Sequence, residues 1–430
     1  MNILLTTDAF PPGAGGSGRS AATLAAALVR RHHRVRIVVG RARPKGQTEW
    51  EGIPVSEVPI PQASLGSHAR ERAYAEGLEK ALGEEAWDLV HAQHWMSAMA
   101  TREACQRLPM VVTIRDYWPV CIWSTMLSGT NACPGCSYSR RVVCVGRRRP
   151  WMWPIAPLLP PMVGGELARR QRVLDESKAI VAVSEYVSET LPFDNVHVVP
   201  NFLPDPSTET DAELPRPTDV PARYLLFVGK LEPNKAPDRL FSILEEARCD
   251  VPLLVAGSGS LSEALREKAN RLGRDVRFLG WVSDERVLGL LRHAAAVLFP
   301  SRWQEPLSRV LVDGLGVGAM MIVEPTGGSE DAVVHEQSGL LGRNPKELGE
   351  ALARVLASVF RKRWCYPGSR PSIERRSHHE SRVAVTRHLS ASRSRRPRAP
   401  RGLAQAPSRA LRVRASRVHV SAAPGAIRTS

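Results

Sequence analysis

The stretch SRWQEPLSRVLVDGLG (301–316) sets two carboxylates, Glu305 and Asp313, eight residues apart. Pro306 fits the first position of a helix, where its missing N–H costs nothing. Leu307, Val310, Leu311 and Leu315 then recur at helical spacing as a buried stripe. The apolar run AVLFP just before reads as a strand. Glu305 is thereby left at a strand's C-terminal mouth, where open parallel sheets bind ligands. Amides of the loop and first helical turn face the same crevice and favour an anion. A carboxylate among free amides suits a polyol that carries phosphate: the acid accepts hydroxyls and the amides take phosphate. Spacing alone equally fits a capping acid followed by a solvated one.

Other residue groups invite chemistry. Gly13, Gly15 and Gly18 in TTDAFPPGAGGSGRS satisfy G-x-G-x-x-G between a strand and a helix. As a dinucleotide fingerprint this wants an acid ending the second strand. Arg41 and Arg43 stand there instead, which argues against NAD but leaves an NADP-dependent oxidoreductase as the rival reading. Cys121, Cys133, Cys136 and Cys144 are spaced as a four-thiolate site for structural zinc or an iron–sulfur cluster, with reduced unligated thiols as the alternative. RRRPWMWPIAPLLPP (147–161) joins three arginines to two tryptophans. It suits an anionic membrane interface, or packing as an insert with a basic rim.

The elements that must position these groups repeat twice. Strands are expected at 2–7, 35–40, 87–92, 109–114, 177–184 and 196–201, with helices near 21–31 and 68–83. After a Pro-rich linker at 203–222 the pattern restarts, with strands at 224–229, 251–257, 276–281, 295–300 and 319–324. Strands spaced by helices mean parallel sheets, so the fold class is α/β, two doubly wound Rossmann-like domains facing a cleft. The expected bounds are 1–202, with a Cys/Trp-rich insert at about 119–163, then 223–358, then a basic tail at 359–430.

Charge is uneven in the same way. Of a net +16, residues 361–430 carry 18 Lys and Arg against 2 Asp and Glu, which leaves 41 of each sign in 1–360. The body is neutral. The tail lacks an apolar face and aromatic interleaving, so it reads as disordered rather than as a specific nucleic-acid binder. A reading-frame change in a GC-rich coding sequence would also give this composition. No apolar run is long enough to span a bilayer, and MNILLTTDAF lacks the marks of a signal peptide, so a cytoplasmic location is expected.

From 1 to about 356 the chain resembles the family 4 retaining glycosyltransferases of GT-B fold. The segments LLFVGKLEPNKAPDRL, LLVAGSGSLSEAL, VRFLGWVSDERVLGLLRHAAAVLFPS, the Glu305/Asp313 stretch and EPTGGSEDAVVHEQSGLL follow in the family's order. The resemblance implies transfer of a sugar from a UDP- or GDP-type nucleotide sugar to an acceptor hydroxyl, in glycan, polysaccharide or glycolipid synthesis. It implies Glu305 on the donor sugar's hydroxyls and Asp313, where the family usually has Glu, on the ribose. Lys230 and Lys235 would clamp the diphosphate, which removes the need for a cofactor or a catalytic metal. Gly15, Gly16, Gly229, Leu307 and Ser308 would border the donor. His94, Arg115 (where many members have His) and Asp116 would face a glycan or lipid-linked acceptor. A truncated, weakly active or inactive homologue is the other alternative.

Overall fold

The structure is a computed structural model that describes residues 1–357 apart from 13, 62–66, 84, 130, 134 and 204–213. Half of the expected linker (204–213) and the whole expected tail therefore lie outside the described residues.

The first sheet takes β1 (Asn2–Thr7), β2 (Arg34–Arg41), β3 (Glu49–Trp50), β4 (Ile53–Pro59), β5 (Leu89–Ala92) and β6 (Met110–Ile114). A two-stranded hairpin, β7 (Leu127–Ser128) with β8 (Asn131–Ala132), stands apart, and β9 (Ala179–Ala182) and β10 (Val196–Val198) complete the first sheet. Its order is β10-β9-β6-β5-β1-β2-β4-β3, parallel throughout except for the β3–β4 pair. The helices between are α1 (Gly16–Arg30), α2 (Ser67–Leu82), α3 (Trp95–Ala104), α4 (Tyr138–Arg148), α5 (Pro160–Asp175) and α6 (Glu185–Thr190).

The second sheet is wholly parallel: β11 (Leu225–Val228), β12 (Leu253–Ala256), β13 (Val276–Gly280), β14 (Ala296–Phe299), β15 (Met321–Val323) and β16 (Leu340–Leu341), in the order β13-β12-β11-β14-β15-β16. Around it lie α7 (Arg239–Glu246), α8 (Ser262–Arg271), α9 (Asp284–His293), α10 (Arg309–Gly316), α11 (Ser329–Ala332) and α12 (Pro345–Ala357).

The sequence explains this layering. Central strands such as LLVA of β12 and AVLF of β14 are buried at every position. Helices cover both faces, so these strands read as continuous apolar runs and do not alternate. In each sheet one central strand has successors on opposite sides: β1 lies between β2 and β5, and β11 between β12 and β14. Chain direction across the sheet reverses at these two points, so the loops leaving the strands diverge and open a crevice at the strands' C-terminal edge. The four loops at the two crevices are those after β1, β5, β11 and β14, and they carry most of the candidate residues.

One apolar cluster joins the two lobes. Tyr117 and Trp118, just past β6, pack with Leu307 and Leu311 from the β14–α10 segment. The rings of Tyr117 and Trp303 meet edge to face at 6.3 Å, and the Tyr117 hydroxyl donates to Gln304 O at 2.6 Å.

Three expectations are corrected. Helix α1 begins at Gly16 rather than near Ala21, because the Gly/Ser run joins the first turn. Helix α10 begins at Arg309, with Ser308 at its N-cap, so Pro306 lies in the loop and not at the first helical position. The hairpin strands β3 and β4 were not expected. They extend the sheet beyond β2, where β4 reads IPVSEVP with only alternate burial.

Candidate active site

Glu305 is 1% exposed. It sits in the irregular loop between β14 and α10, and its Oε1 accepts from Lys235 Nζ at 2.5 Å and from Ser301 Oγ at 2.6 Å. Lys235 comes from the loop after β11, where its ammonium also lies 5.0 Å from the Trp303 ring. The ring's negative face and the carboxylate together fix the cation. The structure thus brings together two of the four residues expected to act on the donor.

The loop after β15 holds this acid in place. Gly328 N–H donates to Glu305 O at 2.6 Å, and Gly327 N–H donates to Gln304 Oε1 at 2.9 Å. A Cβ at Gly328 would lie 2.1 Å from Pro306 O, so only glycine permits the approach. Beside it the hydroxyls of Thr326 and Ser329 are buried without a protein partner.

Across the cleft-floor strands, the loops after β11 and β12 meet backbone to backbone. Gly257, at φ +143°, would place a Cβ 1.9 Å from Gly229 O. Lys230 follows Gly229 and is exposed; neighbouring Glu232 has its pKa lowered chiefly by hydrogen bonds from Ser260, with the Lys230 charge a smaller contribution.

Asp313 is set among arginines, apart from the Lys235–Glu305 pair's own contacts. It is 1% exposed, and two arginines occupy both of its oxygens. Arg309 Nε donates to Oδ1 and Arg19 Nη1 donates to Oδ2, each at 2.8 Å. Arg19 lies on α1 of the first lobe and also pairs with Asp284 at 3.0 Å. Arg309 further donates to Phe202 O at 2.8 Å. Asp313 is therefore the centre of an ionic tie between lobes. Desolvation lowers the pKa of Arg309 and raises that of Asp284, with the opposite charges nearby working against both shifts. Gly16 comes so close that a Cβ there would lie 2.9 Å from Arg309 Cβ, while Gly15 faces open space.

On the first lobe, Arg115 directly follows β6. Its Nη1 donates to Asn201 Oδ1 and its Nη2 donates to Gln93 Oε1 at 2.6 Å. Asn201 in turn donates to Leu307 O at 3.2 Å, which links the lobes beside Glu305. Burial, together with repulsion from Arg309, brings the Arg115 pKa down to about 9, so it remains a cation at neutral pH. His94, at the start of α3, has Nδ1 3.1 Å from Thr7 Oγ1 and 3.2 Å from Asp8 Oδ1. Burial lowers its pKa, partly offset by Asp8. Asp116 accepts from Trp118 N–H at 2.8 Å, and burial raises its pKa to about 6.

Arg19, Arg309, Gln93 and Asn201 were not singled out from the sequence. A helix-start arginine four residues before an acid is a local signal for the Arg309–Asp313 pair. The other three become visible only through contacts distant in sequence.

Two further groups from the sequence are placed as follows. Arg41, the candidate for an NADP phosphate, instead pairs with Glu57 at 2.6 Å and donates to the carbonyls of Phe10 and Pro11. The cysteines Cys121, Cys133, Cys136 and Cys144 share one neighbourhood, and all four are free thiols. Burial raises the pKa of Cys136 and Cys144, and the adjacent thiols add to it. Yet Cys133 Sγ turns to Gly135 O and Cys136 to Arg141, and among the described residues no three such side chains are grouped to hold a metal.

Comparisons with known proteins agree with this architecture. Residues 14–205 match the family "Glycosyltransferase Family 4", and residues 222–358 match "Glycosyl transferases group 1". The chain is similar to the D-inositol 3-phosphate glycosyltransferase of Xylanimonas cellulosilytica, at 26% identity over 89% of this chain and 93% of that protein. It is equally similar to the glycogen synthase of Mycobacterium tuberculosis, at 26% identity over 84% of this chain and 86% of that one. In fold it resembles Anabaena HepE solved in complex with UDP-glucose, with a TM-score of 0.55 at 18% identity, covering 83% of this chain and 90% of that one. With both lobes matched in order and the two crevices built as a GT-B fold requires, the chain belongs to the group 1, family 4 glycosyltransferases, and glycosyl transfer is its chemistry.

Proposed function

We propose that this chain moves a hexose from a UDP- or GDP-type nucleotide sugar to an acceptor hydroxyl with retention of anomeric configuration. The carrying observation is the Lys235–Glu305 pair, held between the loops of the second lobe's crevice and tied to the first lobe through Gln304, Leu307 and Asn201. Glu305 accepts hydrogen bonds from the donor sugar's hydroxyls. Lys235, with Lys230 at the exposed rim, offsets charge that develops on the departing diphosphate. The amides of Leu307 and Ser308, and the open face at Gly15 with Gly16 and Gly229, border the phosphates. The bond from C1 to the phosphate oxygen breaks, and the acceptor oxygen bonds C1 from the same face. The acceptor's proton passes to the leaving phosphate, so the protein supplies no nucleophile.

On this reading residues 1–202 form the acceptor-side domain, 203–222 the link and 223–358 the donor domain. The UDP-glucose bound by HepE supports a uracil donor as the first to try. Glycogen synthase among the relatives supports a glycan acceptor and a place in polysaccharide synthesis.

An exposed surface supports a lipid-linked acceptor. Trp151 and Leu158 are each 73% exposed and Met162 70%, beside Arg147 and Arg149. Apolar anchors flanked by cations suit an anionic membrane, at its cytoplasmic face. Among the described residues no helix is long and apolar enough to cross a membrane.

The test is release of nucleoside diphosphate from UDP-, GDP- and ADP-sugars, followed by NMR of the product's anomeric carbon. A product of inverted configuration, or no release with any donor, would overturn the reading.

A further inference from the structure

Among the described residues three arginines meet where the lobes touch, and only two of them pair with acids. Arg309 is matched by Asp313, and Arg19 by Asp313 and Asp284. Among the described residues Arg115 hydrogen-bonds to the neutral amides of Asn201 and Gln93, it makes no ion pair with an acid, and the charge that perturbs it is Arg309, another cation. Its Nε is shielded from solvent and has no partner. Gln93, 0% exposed, spends Oε1 on Arg115, so its Nε2 is the amide donor, and this too has no partner. An uncompensated guanidinium beside an unused amide donor is costly to bury unless a ligand oxyanion completes it.

The neighbourhood says what else that ligand carries. His94 Nδ1 faces Asp8 and Thr7, which assigns its proton to Nδ1 and leaves Nε2 as an acceptor. That Nε2 is also buried without a partner, and it suits a hydroxyl. Asn201 joins Arg115 to Leu307 O, two residues from the acid assigned to the sugar.

We propose that Arg115 and Gln93 form an oxyanion subsite for an acidic sugar. The carboxylate of a uronic acid or a phosphate ester, on the transferred sugar or on the acceptor, bonds Arg115 Nε and Gln93 Nε2 while His94 Nε2 takes a neighbouring hydroxyl. The subsite rests on the glycosyl-transfer reading and narrows its substrate to acidic sugars.

Calorimetric titration tests it. The donor probes are UDP-glucose against UDP-glucuronate and GDP-mannose against GDP-mannuronate. The acceptor probes, with UDP present, are glucose against glucuronate and against glucose 6-phosphate. An acidic probe is expected to bind about tenfold tighter than its neutral counterpart, and which pair responds identifies carboxylate or phosphate, donor or acceptor. Arg115→Gln should abolish the preference with UDP affinity unchanged, and Arg115→Lys should keep part of it. Both variants should melt as cooperatively as the wild type. Equal binding within every pair overturns the subsite. So does an Arg115→Gln variant that weakens UDP itself as much as the acidic probe, because Arg115 would then serve the pyrophosphate. If UDP and GDP bind while no acidic preference exists, only this inference falls. If neither nucleotide binds, the transfer reading falls with it.

Discussion

Lys235 carries the most chemistry per atom in this cleft. It pairs with Glu305 and, on the proposed mechanism, meets the leaving diphosphate. Lys235→Ala should lower kcat for diphosphate release about 100-fold or more, the usual loss when one preorganised donor to developing charge is removed. A steady-state assay with the best donor checks this. Asp116 offers a pH test. Its pKa rises from 3.8 to about 6 on folding, chiefly through burial, with Asp8 adding repulsion. The folded state thus holds this proton more tightly than the unfolded chain. Stability from the group is present below about pH 4 and is lost as pH rises through about 6. Asp116→Asn should therefore melt higher than the wild type at pH 8, with the difference closing by pH 4 in paired thermal melts.

Loops after strands set the precision of the site. The tightest is the approach of Gly328 to Pro306, whose carbonyl a Cβ would meet at 2.1 Å. Gly328→Ala should push the Glu305 loop outward and cost about 100-fold in kcat, since small misplacements of reacting groups are that expensive. The measurement is kcat beside a melting curve that still shows a folded protein. At this scale much was legible beforehand. Runs such as IVVG (37–40) and AVLFP (296–300) are apolar at every position, so β2 and β14 fell where expected. The loop with Glu305 was legible because a Pro and an acid interrupt such a run. Helix α1 starts in a Gly/Ser stretch with no side-chain cap, so nothing local marked its first turn. The tie through Asp313 was not legible either, because Arg19 lies 294 residues away and no local pattern announces it.

Among the described residues an ionic centre and an apolar cluster join the two lobes, with hydrogen bonds such as that from Asn201 to Leu307 O beside them. Asp313 supplies the only carboxylate to Arg309 in the described contacts, and both side chains are nearly inaccessible. Asp313→Asn should cost about 3–5 kcal/mol, as for removal of one partner from a buried pair. A denaturation midpoint unchanged from wild type would show that the tie is not formed in solution. The basic, Trp-bearing face should carry the protein with anionic vesicles in flotation at low salt. Trp151→Ala with Leu158→Ala should leave it in the bottom fraction, and a wild type that stays at the bottom refutes membrane docking. The whole account turns on Glu305 acting on a nucleotide sugar in the cleft between these lobes. The most direct measurement is the rate of nucleoside diphosphate release by wild type and Glu305→Gln, side by side, across UDP-, GDP- and ADP-sugars. The account predicts release with at least one donor and a fall of about 100-fold or more in the variant at a comparable melting temperature. A folded Glu305→Gln protein that turns over at the wild-type rate would contradict it.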